Sequence, residues 1–320
     1  MTATTPVERV HVHVPGIGER MADLVRARRP ELDVVVVDDR DELVQRLPEI
    51  EVLMAWRPPR GRWAEASRLR LIQVPAAGVD SVLPADDLPA GIPVCNATGA
   101  HNPHMPEFAI GMLLALAKGV PILARQQQDK VWRPRNPIVL HGTTLAVLGL
   151  GTIGEGVATA ARGLGMRVVG VRRSGQPVEG VDQVVPPDRM GEVLPGCRSL
   201  VVVTPLTPET RGLVDTAILE QLPDGALLVD VSRGGVVDPD AVVAALRSGK
   251  LAGAALDVFE TEPLPADSPL WDEPNLLITP HTAGLSDDYF DHIADLFSAN
   301  IAALENGNPC PTAVDRARGY

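Results

Sequence analysis

The stretch Thr144-Leu145-Ala146-Val147-Leu148-Gly149-Leu150-Gly151-Thr152-Ile153-Gly154 constrains the fold more than any other part of this chain. It begins as a short apolar run, the pattern of a parallel strand buried on both faces. It ends in Gly149-x-Gly151-x-x-Gly154 and passes into Val157-Ala158-Thr159-Ala160-Ala161-Arg162-Gly163-Leu164, which reads as a helix. Three glycines alone say little, but strand, glycines and helix in that order give each a task. Gly149 permits the tight turn, Gly151 lets backbone approach a pyrophosphate, and Gly154 lets the helix pack on the strand. Unpaired N–H groups and the helix dipole then favour an anion at the helix start, beside Thr152 and Ile153. The segment predicts a dinucleotide site. A purely structural glycine turn is the alternative.

The next strand, Met166-Arg167-Val168-Val169-Gly170-Val171, runs into Arg172-Arg173-Ser174. About twenty residues past the glycines, an NAD site carries an acid on the ribose 2′-OH. Here Arg172 stands in that register. A carboxylate would repel a 2′-phosphate, whereas a guanidinium grips one with paired donors. NADP(H) is therefore expected in preference to NAD(H), with NAD(H) still possible. Otherwise the two arginines are merely solvated at a loop tip.

A chain of 320 residues has room for two domains. Its aromatic content is only 3%, so the core must be built from Val, Leu, Ala and Ile. A formal charge of −12 argues against nucleic acid and anionic membrane as partners, so an anionic substrate would need locally placed cations. Cys95, Cys197 and Cys310 share no zinc or CxxC spacing and read as reduced core or surface thiols. No signal peptide or apolar run of membrane-spanning length is visible, and a cytoplasmic enzyme is the simplest expectation.

Strand patterns at residues 9–14, 33–37, 51–55, 71–74 and 92–95 alternate with helical patterns at 18–28 and 42–47. That alternation predicts a parallel α/β sheet without a glycine fingerprint of its own. His11 and His13 share one face of the first strand, but no third ligand accompanies them, so core or edge positions are expected and no metal. Two loops follow strand ends, where ligands of open α/β sheets bind: Trp56-Arg57-Pro58-Pro59 and Pro75-Ala76-Ala77-Gly78-Val79-Asp80. Small residues at Ala77 and Gly78 would let backbone N–H groups reach a substrate carboxylate, with Trp56 nearby; an ordinary turn is the alternative. Residues 98–106 suggest a hinge, followed by one long apolar helix over 107–124. His101 and His104 precede it; they could touch substrate, but facing water is the expectation. Further strands are expected at 200–204, 226–230, 253–257 and 276–279, with helices at 238–248 and 287–304.

Arg233, Glu262 and His281 each follow one of these later strands, on the edge that would hold a nicotinamide. Hydride transfer to a carbonyl needs a cation for the substrate carboxylate and carbonyl, a proton donor, and a group that supports the donor. Arg233 suits the first task through bidentate contact. His281 suits the second, because imidazole changes charge near neutrality. Glu262 suits the third, since a carboxylate against an imidazole stabilises the imidazolium. Thr204, Pro205, Thr210, Val231, Ser232 and Gly284 lie in the same loops and are expected to line the cofactor, with Asp257 accepting from the nicotinamide amide and His281 alongside. Taken singly, Arg233 could pair with Asp230 or Asp238, Glu262 could be a surface acid, and His281 could cap the following helix.

Gly149-Leu-Gly-Thr-Ile-Gly154, Thr207-Pro-Glu-Thr-Arg-Gly212, Ser232-Arg-Gly-Gly-Val-Val-Asp238, Ala255-Leu-Asp-Val-Phe-Glu-Thr-Glu-Pro263 and Thr279-Pro-His281 resemble, in order, the signatures of the D-isomer-specific 2-hydroxyacid dehydrogenases. Ala77-Gly78-Val79-Asp80 is similar to that family's substrate-carboxylate loop. The resemblance covers nearly the whole chain and implies Arg233, Glu262 and His281 as catalytic residues. It implies two doubly wound parallel-sheet domains of the α/β class: a Rossmann cofactor domain at 99–284, and a flavodoxin-like substrate domain, discontinuous, at 1–98 and 285–320. Closure over a cleft and a homodimer built through the cofactor domains follow by analogy. Trp56-x-Pro-Pro59, Pro263-Leu-Pro265, Ser268-Pro-Leu-Trp271 and the ending Val314-Asp-Arg-Ala-Arg-Gly-Tyr320 are similar to the bacterial glyoxylate/hydroxypyruvate reductase branch, which prefers NADPH. The chain departs from that branch at 101–107 and 282–284. The expected activity is NADPH-dependent 2-oxoacid reduction. The rival from another class is an NAD(P)(H)-sensing, corepressor-like binding protein of the same fold, and a dehydrogenase of formate or phosphite is a third, weaker reading.

Overall fold

The computed structural model describes residues 5–316. Two units are distinguished: Met1–His101 with Ser286–Tyr320, and Asn102–Leu285. Of the C-terminal motif Val314–Tyr320, the last four residues lie outside the described ones.

The first unit begins with β1 (Arg9–His13), α1 (Gly18–Arg28), β2 (Asp33–Val36), α2 (Arg40–Arg46), β3 (Val52–Ala55), β4 (Leu71–Gln73) and β5 (Val94–Cys95). The second contains α3 (His104–Lys118), α4 (Val120–Gln128), β6 (Thr144–Leu148), α5 (Thr152–Gly163), β7 (Arg167–Val171), β8 (Gln183–Val185), β9 (Ser199–Val202), α6 (Thr216–Leu219), β10 (Ala226–Asp230), α7 (Pro239–Ser248), β11 (Leu251–Leu256) and β12 (Leu276–Ile278). The chain then returns to the first unit as α8 (Tyr289–Glu305).

The first sheet has the order β2-β1-β3-β4-β5 and the second β12-β11-β10-β9-β6-β7-β8, with every pairing parallel. Both are doubly wound orders, in which the direction of winding reverses at one point. In the second sheet that point lies between β6 and β9. Alternate residues of each strand feed opposite cores, as the two-residue period requires. Ala146 and Leu148 of β6 enter one cluster, while Leu145 and Val147 enter the other. In the first unit Met54 and Leu53 of β3 divide in the same way. Ile293, Phe297 and Ile301 of α8 supply part of one face of that first core.

Two expectations need correction, on the helix at 107–124 and on His101 with His104. The helix expected at 107–124 is two helices bent by 63°, because Gly119 takes φ 69° between them. A left-handed residue ends α3, and its missing Cβ makes that conformation cheap. The three cysteines, expected in the core or at the surface, are free and buried. His101 is buried and stacks on Tyr289 with ring centroids 5.1 Å apart, so it does not face water. Nor is His104 left to water, since its Nε2 lies 2.8 Å from the Gly284 carbonyl oxygen. His11 and His13 are buried on β1, where His13 Nδ1 meets the Val37 carbonyl at 2.7 Å. No single helix among the described residues is long and apolar enough to cross a membrane.

Candidate active site

The glycine loop connects β6 to α5 at the reversal point of the second sheet. Gly149 has φ +103°, and a Cβ there would lie 3.1 Å from the Thr204 backbone nitrogen. The loop therefore touches the end of β9. A Cβ on Gly154 would lie 1.9 Å from the Gly149 carbonyl oxygen, so only glycine lets the helix sit this close. Gly151 has open space where a Cβ would be, and it precedes Thr152 and Ile153 in the first turn of α5. No side chain caps this helix start. The Thr204 hydroxyl beside it is buried and has no protein partner. Open backbone, an uncapped helix start and a lone hydroxyl together fit a pyrophosphate.

Arg172 and Arg173 follow β7, next to β6 in the sheet. The turn is fixed by Arg172 N–H to the Val185 carbonyl at 3.1 Å and Gly175 N–H to the Arg172 carbonyl at 3.0 Å. Arg173 and Ser174 are exposed, and Ser174 Oγ accepts from Gln176 N–H at 3.3 Å.

Arg233 follows β10. Its Nη1 donates to the Ser232 carbonyl at 2.8 Å, and Val236 N–H donates back to the Arg233 carbonyl at 3.1 Å. Asp238 caps α7, accepting Asp240 N–H and Ala241 N–H. Asp230 receives both Ser232 N–H at 2.9 Å and Ser232 Oγ at 2.5 Å. Burial pushes the Asp230 carboxyl up to about 7, against the opposing pull of those Ser232 donors. A Cβ on Gly234 would lie 2.1 Å from the Phe259 carbonyl, so the Arg233 loop abuts the loop that carries Glu262.

Glu262 uses one oxygen to accept Phe259 N–H at 2.9 Å and the other to meet His281 Nδ1 at 2.8 Å. An ionised carboxylate only accepts, so Nδ1 carries the hydrogen and Nε2 is the ring atom left for chemistry. His281 does not cap the following helix. It sits at φ +53°, in the left-handed region that non-glycine residues uncommonly adopt. Its own N–H donates to the Asp257 carbonyl at 2.9 Å. The Asp257 carboxylate accepts Thr279 Oγ1 at 2.5 Å, Thr282 N–H at 2.9 Å and Ala283 N–H at 3.0 Å. Asp257 is 2% exposed. The acid expected on a cofactor amide is thus engaged in holding the His281 loop, because a buried carboxylate must collect several donors. The Thr210 hydroxyl is likewise taken up locally, accepting Thr207 N–H at 2.7 Å and donating to the Pro205 carbonyl at 2.6 Å. Val231 is buried in the core and donates N–H to the Val202 carbonyl. Gly284 presents its carbonyl to His104.

In the other unit, three successive carbonyls of the Ala77 loop are tied down. Pro75 oxygen accepts Trp56 Nε1 at 3.1 Å and Tyr289 Oη at 2.8 Å. Ala76 oxygen accepts Ala97 N–H, and Ala77 oxygen accepts Asn96 Nδ2, both at 2.8 Å. Fixing carbonyls elsewhere removes the groups that would repel an anion at Ala77 and Gly78. Tyr289, Thr279 and Thr282 were given no site role from sequence. Each acts through a partner distant along the chain, and no local spacing signals that.

A family model described as "D-isomer specific 2-hydroxyacid dehydrogenase, NAD binding domain" matches residues 110–283. A curated glyoxylate/hydroxypyruvate reductase A from Serratia proteamaculans (strain 568) is 33% identical over 298 residues, covering 87% of this chain and 94% of that protein. A crystal structure of a D-isomer specific 2-hydroxyacid dehydrogenase from Xanthobacter autotrophicus Py2, in complex with NADPH and MES, superposes with a TM-score of 0.87 at 35% identity, covering 99% of this chain and 100% of that one. An NADPH-dependent glyoxylate/hydroxypyruvate reductase from Sinorhizobium meliloti, in complex with NADP and sulfate, gives a TM-score of 0.87 at 27% identity over 98% of this chain and 100% of that one.

Proposed function

This chain belongs to the D-isomer-specific 2-hydroxyacid dehydrogenase family, and from that premise we propose that it is an NADPH-dependent reductase of small 2-oxoacids such as glyoxylate or hydroxypyruvate. The observation that carries this reading is the Glu262–His281 pair, 2.8 Å apart, on a sheet whose β10 end bears Arg233 and whose β6 ends in the glycine loop. When bound, the reduced nicotinamide supplies a hydride for the carbonyl carbon. Arg233 orients the substrate carboxylate and polarises the 2-oxo group. His281, donating through Nε2, protonates the oxygen as charge develops there. Glu262 keeps the proton on Nδ1 and stabilises the imidazolium. In the opposite direction His281 takes the hydroxyl proton of a D-2-hydroxyacid while its hydride would leave to the oxidised cofactor.

Gly149, Gly151, Thr152, Ile153, Gly154, Thr204, Pro205, Val231, Ser232 and Gly284 are proposed as the cofactor's neighbours, with Arg172, Arg173 and Ser174 on a 2′-phosphate. Trp56, Ala77 and Gly78 are proposed for the substrate, on their places after β3 and β4. The enzyme works on this reading as a cytoplasmic homodimer. The dimer is supported by an apolar exposed segment in which Trp132 is 97% and Val139 66% exposed.

The test is loss of NADPH absorbance with a panel of 2-oxoacids and both cofactors. Turnover with glyoxylate or hydroxypyruvate is expected; cofactor binding without turnover of any 2-oxoacid would favour a sensor. Replacing Arg172 and Arg173 with Ala should raise KM for NADPH about tenfold or more and that for NADH far less. Equal changes would refute the 2′-phosphate assignment.

A further inference from the structure

The arginines proposed for the 2′-phosphate have acids close by. Glu155 lies in the first turn of α5, with its N–H donating to the Gly151 carbonyl at 2.9 Å. Its Oε1 is 4.0 Å from Arg172 Nη1. On the other side, the Glu209 carboxyl is held below its ordinary range by the Thr207 hydroxyl, with the Arg173 charge contributing. The site therefore sets the Arg172 guanidinium against the Glu155 carboxylate. A dianionic phosphate meets repulsion as well as attraction there.

We propose that Glu155 is a specificity-determining residue, whose carboxylate offsets the charge of Arg172 and holds down the preference for cofactors bearing a 2′-phosphate. This rests on the reading of Arg172 as the 2′-phosphate ligand. Both partners are anchored by backbone: Arg172 through Val185, and Glu155 through the glycine loop. Neither can leave the other's neighbourhood without a rotamer change. The interaction is half exposed, so its worth is small and falls with salt. A phosphate arriving at Arg172 carries about two charges, so it feels the acid more than a singly charged group would.

The experiment compares adenosine 2′,5′-bisphosphate with AMP by isothermal titration calorimetry at low salt, on the full chain and on Glu155→Gln. The ratio of AMP Kd to bisphosphate Kd should rise about three- to fivefold in the variant. AMP affinity itself should stay within about twofold, which also shows that the glycine loop is intact. The rise should shrink in high salt. An unchanged ratio overturns the proposal. A lower ratio also overturns it, since Glu155 would then be holding Arg172 in place for the phosphate. If neither the unaltered chain nor the variant prefers the bisphosphate, the arginine assignment fails together with this proposal.

Discussion

His281 shows how much of this chemistry is decided around one residue. Its ring is set by Glu262 and its backbone by Asp257, which collects three donors from the segment either side of it. Replacing His281 with Ala should lower kcat by about two to four orders of magnitude, the usual worth of a general acid. Steady-state kinetics at saturating cofactor check this, and near-normal turnover would remove His281 from the role. Asp230 makes a second prediction at this scale. Its folded carboxyl titrates near 7, above the ordinary value of 3.8, because burial disfavours the charged form. From about pH 4 to 7 the folded chain therefore holds a proton that the unfolded chain has lost. Stability must fall as pH rises through that window and level off beyond it. The Asp230→Asn variant lacks this dependence. Between pH 5 and pH 8 the unfolding free energy from urea transitions should fall by up to about 3 kcal/mol more in the unaltered chain than in the variant, since each tenfold change in acidity is about 1.4 kcal/mol and about two such steps lie below the folded value. Parallel pH profiles would refute the assignment.

Among the elements, the turn from β6 into α5 leaves least freedom. The Gly154 position has no room for a methyl group, because the colliding atom is backbone of the same loop. Gly154→Ala should cost at least tenfold in dinucleotide affinity, read by calorimetry, with far-UV circular dichroism almost unchanged. Gly119 teaches the opposite lesson. Apolar periodicity runs on through it, and the pattern reads as one helix; the left-handed backbone that splits α3 from α4 appears only in three dimensions. The strand β8 was missed for a related reason. Gln183–Val185 is three residues long, partly exposed, and pairs only at the edge of its sheet beside β7, so it carries little hydrophobic signal of its own.

At the scale of the whole molecule, the chain leaves its first sheet after β5 and comes back as α8. That return is built into the first core. Phe297 is fully buried, and Asn300 bridges Gln73 at 2.8 Å and Thr312 at 2.7 Å. Phe297→Ala should destabilise this unit by about 3–5 kcal/mol. Because the glycine loop lies in the other unit, differential scanning calorimetry should show a lowered transition that NADPH does not restore, beside one that NADPH still raises. A single transition shifted as one would contradict the separation.

Local chemistry was enough to read several features from the sequence. Glycines between a strand and a helix carry their own steric logic, two arginines in place of an acid carry their own charge logic, and strand-end polar residues point to an edge where ligands bind. The order of the strands, the Asp257 fan over Thr279, Thr282 and Ala283, the left-handed His281 and the tie from Tyr289 to Pro75 were not readable. Each joins residues that are far apart along the chain or fixes a dihedral angle that neighbours alone leave open. Only packing a whole sheet decides which distant donors a buried carboxylate will find.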